Sequence, residues 1–137
     1  MMLWIQLHDL NSEQLPSVNQ EDAISAFRQF DWNTELERLR KAELDDGAEI
    51  CQPGMGLVAE DGRQLQIYPN DATSVHFYLR WPALRKAFVW VGNHVEEVHF
   101  VEEYPIEAVP ALISYYFEDQ REEILNIEGE SWAETVE

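Results

Sequence analysis

Residues 74–100 constrain the fold more strongly than any other stretch of this chain. The stretch is rich in aromatic and β-branched residues, and it is interrupted by Pro82 and by a Gly-Asn pair at 92–93. Aromatic and β-branched residues favour strands, whereas proline and Gly-Asn pairs favour turns. The stretch therefore predicts three consecutive antiparallel strands, at 73–81, 86–91 and 94–102.

The first of these strands has one apolar face and one more polar face. Its apolar and polar residues alternate, and a period of two places them on opposite faces of a sheet. The apolar positions are Val75, Phe77, Leu79 and Trp81, and the polar positions are His76, Tyr78 and Arg80. The second strand is apolar on both faces, which indicates a central strand that is covered from both sides.

An Asp-Gly pair at 61–62 predicts a further hairpin, because these two residues favour a tight two-residue loop. The flanking strands cover 56–60 and 63–69, and the loop places Val58 opposite Leu65. With this hairpin the chain predicts an antiparallel meander of about five strands, which is a common sheet size.

Helical patterns flank these strands. Asn19 begins a capping-box pattern, and apolar residues then recur at helical spacing over 20–30. A second helix is predicted over 33–45, and one bent helix across both spans is the alternative. The last pattern predicts a long C-terminal helix over 107–126, with a kink at 118–119 as a variant of it.

The whole pattern predicts one α+β domain over residues 1–128, in which two N-terminal helices and a long C-terminal helix pack on the sheet. Residues 3–7 are predicted as a short strand or as an apolar anchor on the core, and residues 11–17 as a loop. Residues 129–137 are predicted to be a short, loosely ordered acidic tail. Hydrophobic residues make up 45% of the chain, which is enough for a folded domain with its own core.

The net charge of −18 at pH 7 is concentrated on either side of the predicted sheet. Residues 1–62 carry 13 acidic and 4 basic side chains, residues 63–101 carry 3 and 4, and residues 102–137 carry 11 and 1. Such a surface repels nucleic acids and anionic membranes and attracts basic partners. The alternative is that the charge only keeps the protein soluble. The distribution predicts that the sheet is a scaffold and that the flanking helices bind the partner.

The sequence contains no motif that is specific for catalysis. It has no phosphate-binding loop, no serine nucleophile elbow and no pair of cysteines at a redox spacing. The single cysteine, Cys51, lies among acidic residues that disfavour a reactive thiolate. His94 and Glu96 share one strand face, and Glu97 and His99 share the other, whereas zinc sites need at least three ligands. We therefore expect no enzymatic activity, no cofactor and no metal.

Two surfaces are candidates for partner binding. The first lies opposite the apolar stripe of the C-terminal helix, and it comprises Glu107, Tyr115, Glu118, Asp119 and Glu122. Tyrosine is enriched in interface cores, and surrounding acids speed the capture of a basic protein. The second is the polar face of the first strand with a neighbouring tryptophan, and it comprises His76, Tyr78, Arg80 and Trp90. The alternative for the first surface is an ordinary solvated helix face with one exposed tyrosine. The alternative for the second is that a helix covers it and that it belongs to the periphery of the core.

In size, acidity and layout the chain resembles bacterial immunity proteins, which neutralise toxins delivered by neighbouring cells. The features behind the resemblance are the helix pair with Phe30-Asp-Trp, the Cys51-Gln-Pro-Gly turn, the meander and the terminal helix. The resemblance implies that the protein occludes the active site of a toxin. It also implies that acids of this chain stand in for the toxin's anionic substrate.

Two other classes of function stay open at this point. One is a regulatory or adaptor domain that binds a cellular protein. The other is a small enzyme or small-molecule binder with a pocket between sheet and helix, lined by Trp81, Trp90 and Tyr78. The unpaired cysteine, the absence of a basic leader region and the absence of a long apolar run predict a cytoplasmic protein with no membrane or nucleic-acid partner.

Overall fold

The computed structural model describes residues 1–82 and 94–136. In these ranges the chain forms one antiparallel sheet of seven strands, and helices pack on one of its faces. The strands are β1 (Met2–Gln6), β2 (Ser12–Leu15), β3 (Gly54–Val58), β4 (Gln64–Pro69), β5 (Ser74–Pro82), β6 (His94–Pro105) and β7 (Glu130–Val136). The helices are α1 (Gln20–Gln29), α2 (Trp32–Ala42), α3 (Val109–Phe117) and α4 (Arg121–Leu125), and a 3-10 turn covers Ile106–Ala108. The predicted α+β class is confirmed.

The order of the strands across the sheet is β2-β1-β3-β4-β5-β6-β7. From β3 to β7 the order in space follows the order in the chain, as the predicted meander requires, but the sheet is larger than the predicted five strands. The helices α1 and α2 connect β2 to β3, and α3 and α4 connect β6 to β7. The hairpins that join β3 to β4 and β4 to β5 therefore contain neither pair of helices.

The face of the sheet that the helices cover, here called the closed face, contains the core. Leu3, Leu57, Leu65 and Phe77 are fully buried on this face. They form one apolar cluster with side chains of α1, α3 and α4. Alternate residues of each strand join this cluster because successive side chains point to opposite faces. All four apolar positions that the sequence predicts for the buried face of β5 are buried.

The hairpin between β3 and β4 differs from its predicted register by one residue. Leu57, rather than Val58, is opposite Leu65. The backbone N–H of Ala59 donates to the Arg63 carbonyl at 2.9 Å, so the loop has three residues instead of two. Its last residue, Gly62, has a φ of +92°, which is typical of a three-residue loop that ends in a left-handed glycine. A one-residue shift exchanges the faces of a strand, and here it brings the larger leucine into the core.

The predicted central strand at 86–91 and the Gly-Asn turn at 92–93 lie outside the described residues. The strands on either side of this segment, β5 and β6, pair directly with each other, with Phe77 opposite Val101. No strand of the chain lies between them in the part of the sheet that the structure describes. The direct pairing corrects the predicted strand order, in which another strand separates β5 from β6.

The N-terminal elements confirm the helix predictions and correct one loop. The Asn19 side chain accepts a hydrogen bond from the Asp22 N–H at 2.8 Å, which completes the predicted capping box at the start of α1. Asp31 caps α2 in the same way, so two helices form instead of one bent helix. Residues 3–7 fall largely in β1, but the predicted loop at 11–17 contains β2, which pairs with β1 through a tight polar hairpin.

The predicted long C-terminal helix over 107–126 is broken into α3 and α4. Asp119 has a φ of +55°, in the left-handed region that an α-helix cannot continue through. Its carboxylate accepts a hydrogen bond from Arg63 Nη1 at 2.6 Å, which fixes the turn between the two helices. No helix within residues 1–82 and 94–136 is long and apolar enough to cross a membrane.

The segment predicted as a loose acidic tail contributes the seventh strand. Residues of β7 pair with β6 along its N-terminal half, and Trp132 lies opposite Val98. A side chain at Gly129 would collide with the Phe100 carbonyl at 2.2 Å, so a glycine is needed where the chain turns in beside β6. The two acids of β7, Glu130 and Glu134, lie on the same strand face as Trp132. They conceal the alternation of apolar residues by which a strand is normally detected.

Candidate functional site: the open face of the sheet

The face of the sheet opposite the helices, here called the open face, is lined by aromatic side chains. Among the described residues, no side chain from this face belongs to the buried cluster that the sheet forms with the helices, although Val98 on this face is fully buried. Its rings are partly exposed, and Trp132 retains 37% of its accessible surface. The rings come from β1, β4, β5, β6 and β7, and they are Trp4, Tyr68, His76, Tyr78, Phe100 and Trp132.

These rings contact one another in a continuous row across the sheet. Tyr78 and Phe100 are stacked with 4.7 Å between their ring centroids, and Tyr68 and His76 are stacked at 5.2 Å. Trp132 extends the row beyond Phe100 at 6.4 Å, at the β7 edge. Each such pair contributes about 0.5–1.5 kcal/mol beyond its buried area. The row is therefore an ordered surface rather than a set of isolated exposed rings.

Two glycines in β3 make room for the start of the row. A Cβ atom at Gly56 would lie 2.0 Å from Trp4 Cε2, and one at Gly54 would lie 2.4 Å from Tyr68 Cδ1. Both distances are far below van der Waals contact, so Trp4 and Tyr68 lie directly over the β3 backbone. Glycine within a strand often marks such a close approach.

A cleft of about 520 Å³ opens beside these two rings. None of its described lining residues carries a carboxylate, although the chain as a whole has 27 acidic side chains. We call it the neutral cleft. Its lining residues are Trp4, Gln6, Leu10, Cys51, Gln52, Gln66, Tyr68, His76, Tyr78 and Arg80.

The tautomer of His76 in the neutral cleft is set by Asn70. Asn70 Nδ2 donates to the Glu102 carbonyl at 3.0 Å, so Asn70 Oδ1 is left to accept from His76 Nδ1 at 2.6 Å. Burial lowers the pKa of His76 below its ordinary value of 6.5, against the opposing effect of Glu102. His76 is therefore a neutral ring at pH 7, with Nε2 as an acceptor.

Among the described residues that line the neutral cleft, Arg80 is the one with a permanent positive charge, and this charge is balanced by neighbours. Its Nη1 is paired with Glu134 of β7 and lies 3.8 Å from Glu96 of β6. Its Nε donates to Gln66 Oε1 at 3.2 Å, and its guanidinium carbon lies 5.3 Å from the centre of the Tyr78 ring. These contacts hold the guanidinium over the sheet and leave little charge to attract an anion.

The other end of the row is acidic. A second cleft, of about 600 Å³, has four acids and no basic residue among its described lining residues. The rest of this lining comprises Phe100, Tyr104, Pro105, Ile127 and Gly129. The acids are Glu102, Glu103, Glu128 and Glu130. We call this surface, with Trp132 beside it, the acidic end. A low-dielectric aromatic wall next to several carboxylates strengthens their attraction for a cation.

The structure separates the residues of the first predicted surface. Glu107 precedes α3 and lines a cleft with Arg28 and Trp32, whereas Glu118, Asp119 and Glu122 lie beyond the other end of that helix. A nine-residue helix is roughly 13 Å long, so Glu107 lies apart from the other three acids, of which Asp119 lines a cleft with Tyr115. Tyr115 is half-buried against the core, and Asp119 is paired with Arg63.

The second predicted surface is largely assembled. His76, Tyr78 and Arg80 lie together in the neutral cleft, and Trp90 lies outside the described residues. The pocket predicted between sheet and helix does not form from Trp81 and Tyr78, because they occupy opposite faces of β5. Trp81 is buried on the closed face, where Arg121 lies 4.8 Å from its ring centre.

Sequence reasoning missed the rings that complete the row, which are Trp4, Tyr68, Phe100 and Trp132. Their faces follow from strand alternation, but their proximity depends on the strand order, which sequence alone does not supply. The sequence signal of a close approach over β3 is its pair of glycines, Gly54 and Gly56, which are separated by one residue. Among the described residues, no group of three or more His, Cys, Asp or Glu side chains is arranged to hold a metal ion.

No protein-family model matches this chain, and no match was found among curated proteins or among solved structures.

Proposed function

We propose that this protein is a binding module that captures a partly basic protein through the acidic end of the open face. The observation that carries the proposal is the combination of Phe100 and Trp132 with four carboxylates, and with no base among the described residues of that end. Buried aromatic anchors dominate the energetics of protein interfaces. Surrounding acids raise the rate of association with a basic partner and select against acidic ones.

The resemblance to bacterial immunity proteins gives the partner a class. In this proposal the partner is a toxin whose active site binds an anionic substrate, and the carboxylates of the acidic end occupy that site. Inhibition by occlusion requires a rigid surface of the right shape and charge and requires no catalytic group. The direct pairing of β6 and β7 supplies that rigidity, because both carry side chains of the surface.

The experiment measures binding to candidate partners from the genetic neighbourhood. Each protein encoded beside this gene is purified in an inactive form, and its affinity is measured by calorimetry at low and high salt. We expect one of them to bind, with an affinity that falls as salt rises, because exposed charges are screened. Expression of this chain should also restore growth to cells that express the active form of that protein.

Matched variants locate the surface. Trp132→Ala should weaken binding by about tenfold or more, as for an interface anchor. Glu130→Lys should also weaken it, whereas Glu118→Lys makes the same charge change near the α3–α4 turn and should have little effect. If Glu118→Lys has the larger effect, the helix side binds the partner. If no neighbouring product binds, or if binding does not restore growth, the immunity proposal fails.

A further inference from the structure

The neutral cleft differs chemically from the acidic end of the same face. Among the described residues no carboxylate lines it, His76 is neutral at pH 7, and Arg80 is paired with Glu134. Because the Arg80 charge is balanced, it neither attracts an anion nor repels a cation strongly, and no described lining residue offers an unpaired charge to either. The cleft is therefore suited to an uncharged ligand.

The floor of the cleft is a platform for a flat apolar face. Trp4 and Tyr68 lie over the β3 backbone with their ring centroids 6.4 Å apart and their planes tilted by 47°. Because the rings are tilted and adjacent, they cover one side of a ligand and do not form a slot between two parallel rings. An open platform of this kind suits a ligand whose second face remains in solvent.

Polar groups with unused hydrogen-bonding capacity surround this platform. The hydroxyl groups of Tyr68 and Tyr78 have no hydrogen-bond partner among the described residues. Gln52 uses its Nε2 for the Pro69 carbonyl at 2.7 Å, which leaves its amide oxygen as an acceptor. His76 Nε2 is a further acceptor. The rim thus offers donors and acceptors to a ligand that has several hydroxyl groups at its edge.

The rim also holds a residue in an unfavourable conformation. Leu10 has a φ of +71° and leaves 49% of its surface exposed. The left-handed region costs about 1–2 kcal/mol for a non-glycine residue, and leucine has no polar side-chain group that could offset this cost. Leu10 ends the three-residue loop between β1 and β2, which the Leu7 N–H closes on the Asn11 carbonyl at 2.8 Å, so the hairpin itself accounts for this conformation. An exposed leucine at the rim extends the apolar floor toward an incoming ligand.

We propose that the neutral cleft binds an uncharged carbohydrate. A pyranose ring has an apolar C–H face that packs on aromatic rings and a rim of hydroxyl groups that need amide, phenol and imidazole partners. The volume of about 520 Å³ fits a short oligosaccharide, since ligand sites range over roughly 300–1,000 Å³. This inference is independent of the proposed partner at the acidic end.

The test uses neutral tetrasaccharides as probes: cellotetraose, xylotetraose, mannotetraose, maltotetraose and N-acetylchitotetraose. Each is titrated to about 10 mM, the range in which weak ligands are detected, into the ¹⁵N-labelled protein while amide and indole signals are followed. We expect at least one probe to shift the Trp4 indole signal and the Gln52 side-chain amide in a saturable way. The Trp4 signal is assigned from its loss in Trp4→Phe.

Three variants test the assignment of the site. Trp4→Ala should weaken binding of that probe by about tenfold or more, whereas Trp132→Ala, at the far end of the row, should change it by less than about twofold. Because Trp4→Ala removes a ring that packs on β3, loss of binding in this variant could result from unfolding, and a second, milder variant is needed. The doubly substituted Tyr68→Phe, Tyr78→Phe protein removes only two hydroxyl groups, and it should weaken binding by about threefold or more.

Several outcomes would overturn the proposal. One is that no probe binds below about 10 mM, and another is that binding leaves the Trp4 and Gln52 signals unchanged. Equal affinity in the Tyr68→Phe, Tyr78→Phe protein would also contradict it. A tighter saturable response to adenosine than to every tetrasaccharide would show that the platform takes a nucleobase and not a sugar.

Discussion

The two faces of the sheet are built from alternate residues of the same strands, and they differ in nearly every property. Leu57, Leu65 and Phe77 on the closed face are fully buried beneath helices. Their chain neighbours on the open face, Gln66 and Tyr78 among them, are only half-buried and form the aromatic row and its polar surroundings. The core and the surface that we propose for recognition are therefore separated by a single step along each strand.

The charge of a segment therefore does not reveal which side chains each face of the sheet exposes. The stretch 63–101 is nearly neutral, and its sequence predicts a scaffold whose flanking helices bind a partner. In the structure the same strands expose the aromatic row, and β7 brings Glu130 and Glu134 to the sheet. The predictions that follow test the separation of the two faces.

The largest difference is expected between two adjacent residues of β5. Phe77→Ala should lower the free energy of unfolding by about 3–5 kcal/mol, because it leaves a cavity in the closed core. Tyr78→Ala, on the open face, should lower it by only about 1 kcal/mol, from lost ring contacts. Urea denaturation of the two variants measures both values. Similar losses would mean that the open face is also part of the core.

The next effect concerns the space that glycine leaves for Trp4. Gly56→Ala should cost about 1–3 kcal/mol, because the new methyl group would lie 2.0 Å from the indole ring and must displace it. Gly47→Ala is the control, since its added carbon meets only Asp45 Oδ1 at 3.7 Å. Thermal unfolding should separate the two variants clearly. Equal melting temperatures would show that Trp4 is not fixed over β3.

A buried carboxylate makes part of the stability depend on pH. Burial raises the pKa of Glu35, but hydrogen bonds from the backbone N–H and imidazole of His8, with Arg38 nearby, lower it below its ordinary value of 4.5. A lowered pKa adds stability above pH 4.5 that is lost as the pH falls through the pKa of the folded state.

Glu35→Gln isolates this contribution. At pH 7 the variant should be less stable than the natural chain by about 1–2 kcal/mol, because a charged acceptor is lost from a buried hydrogen bond. The difference should shrink as the pH is lowered below 4.5. Urea midpoints from pH 3 to pH 7 measure it. A difference that grows toward low pH would contradict the assigned direction of the pKa.

The smallest effect is expected at the rim of the neutral cleft, where a substitution should increase stability instead of reducing it. Leu10→Gly should raise the free energy of unfolding by up to about 1 kcal/mol, because relief of the left-handed strain exceeds the entropy cost of glycine. The same change should weaken binding of a tetrasaccharide. A loss of stability would show that Leu10 is held in this conformation by packing that outweighs its strain.

Sequence reasoning succeeded where the signal is local. The capping box at Asn19 and the alternation from Val75 to Trp81 depend on residues within one turn or one strand, and the structure confirms both. The alternation also predicts correctly that His76, Tyr78 and Arg80 share one face of β5. Such signals survive because neighbours along the chain determine them.

The failures share a different cause, which is geometry that the local pattern does not contain. The left-handed Asp119 divides an otherwise continuous helical pattern into α3 and α4. Gly62 ends a three-residue loop where a two-residue loop is the commoner choice, and this shift alone brings Leu57 into the core. Trp132 joins the aromatic row only because β7 pairs with β6, and the acids of β7 conceal its strand pattern.

The most direct test of the central claim compares Phe100→Ala with Val101→Ala, which are adjacent residues on opposite faces of β6. Both are measured for affinity toward the basic partner identified from the neighbouring genes, at a temperature where both are folded. Phe100→Ala should weaken binding by about tenfold or more. Val101→Ala should keep its affinity although it loses about 2 kcal/mol of stability from the closed core. The opposite result, with binding lost in Val101→Ala and kept in Phe100→Ala, would contradict the assignment of recognition to the open face.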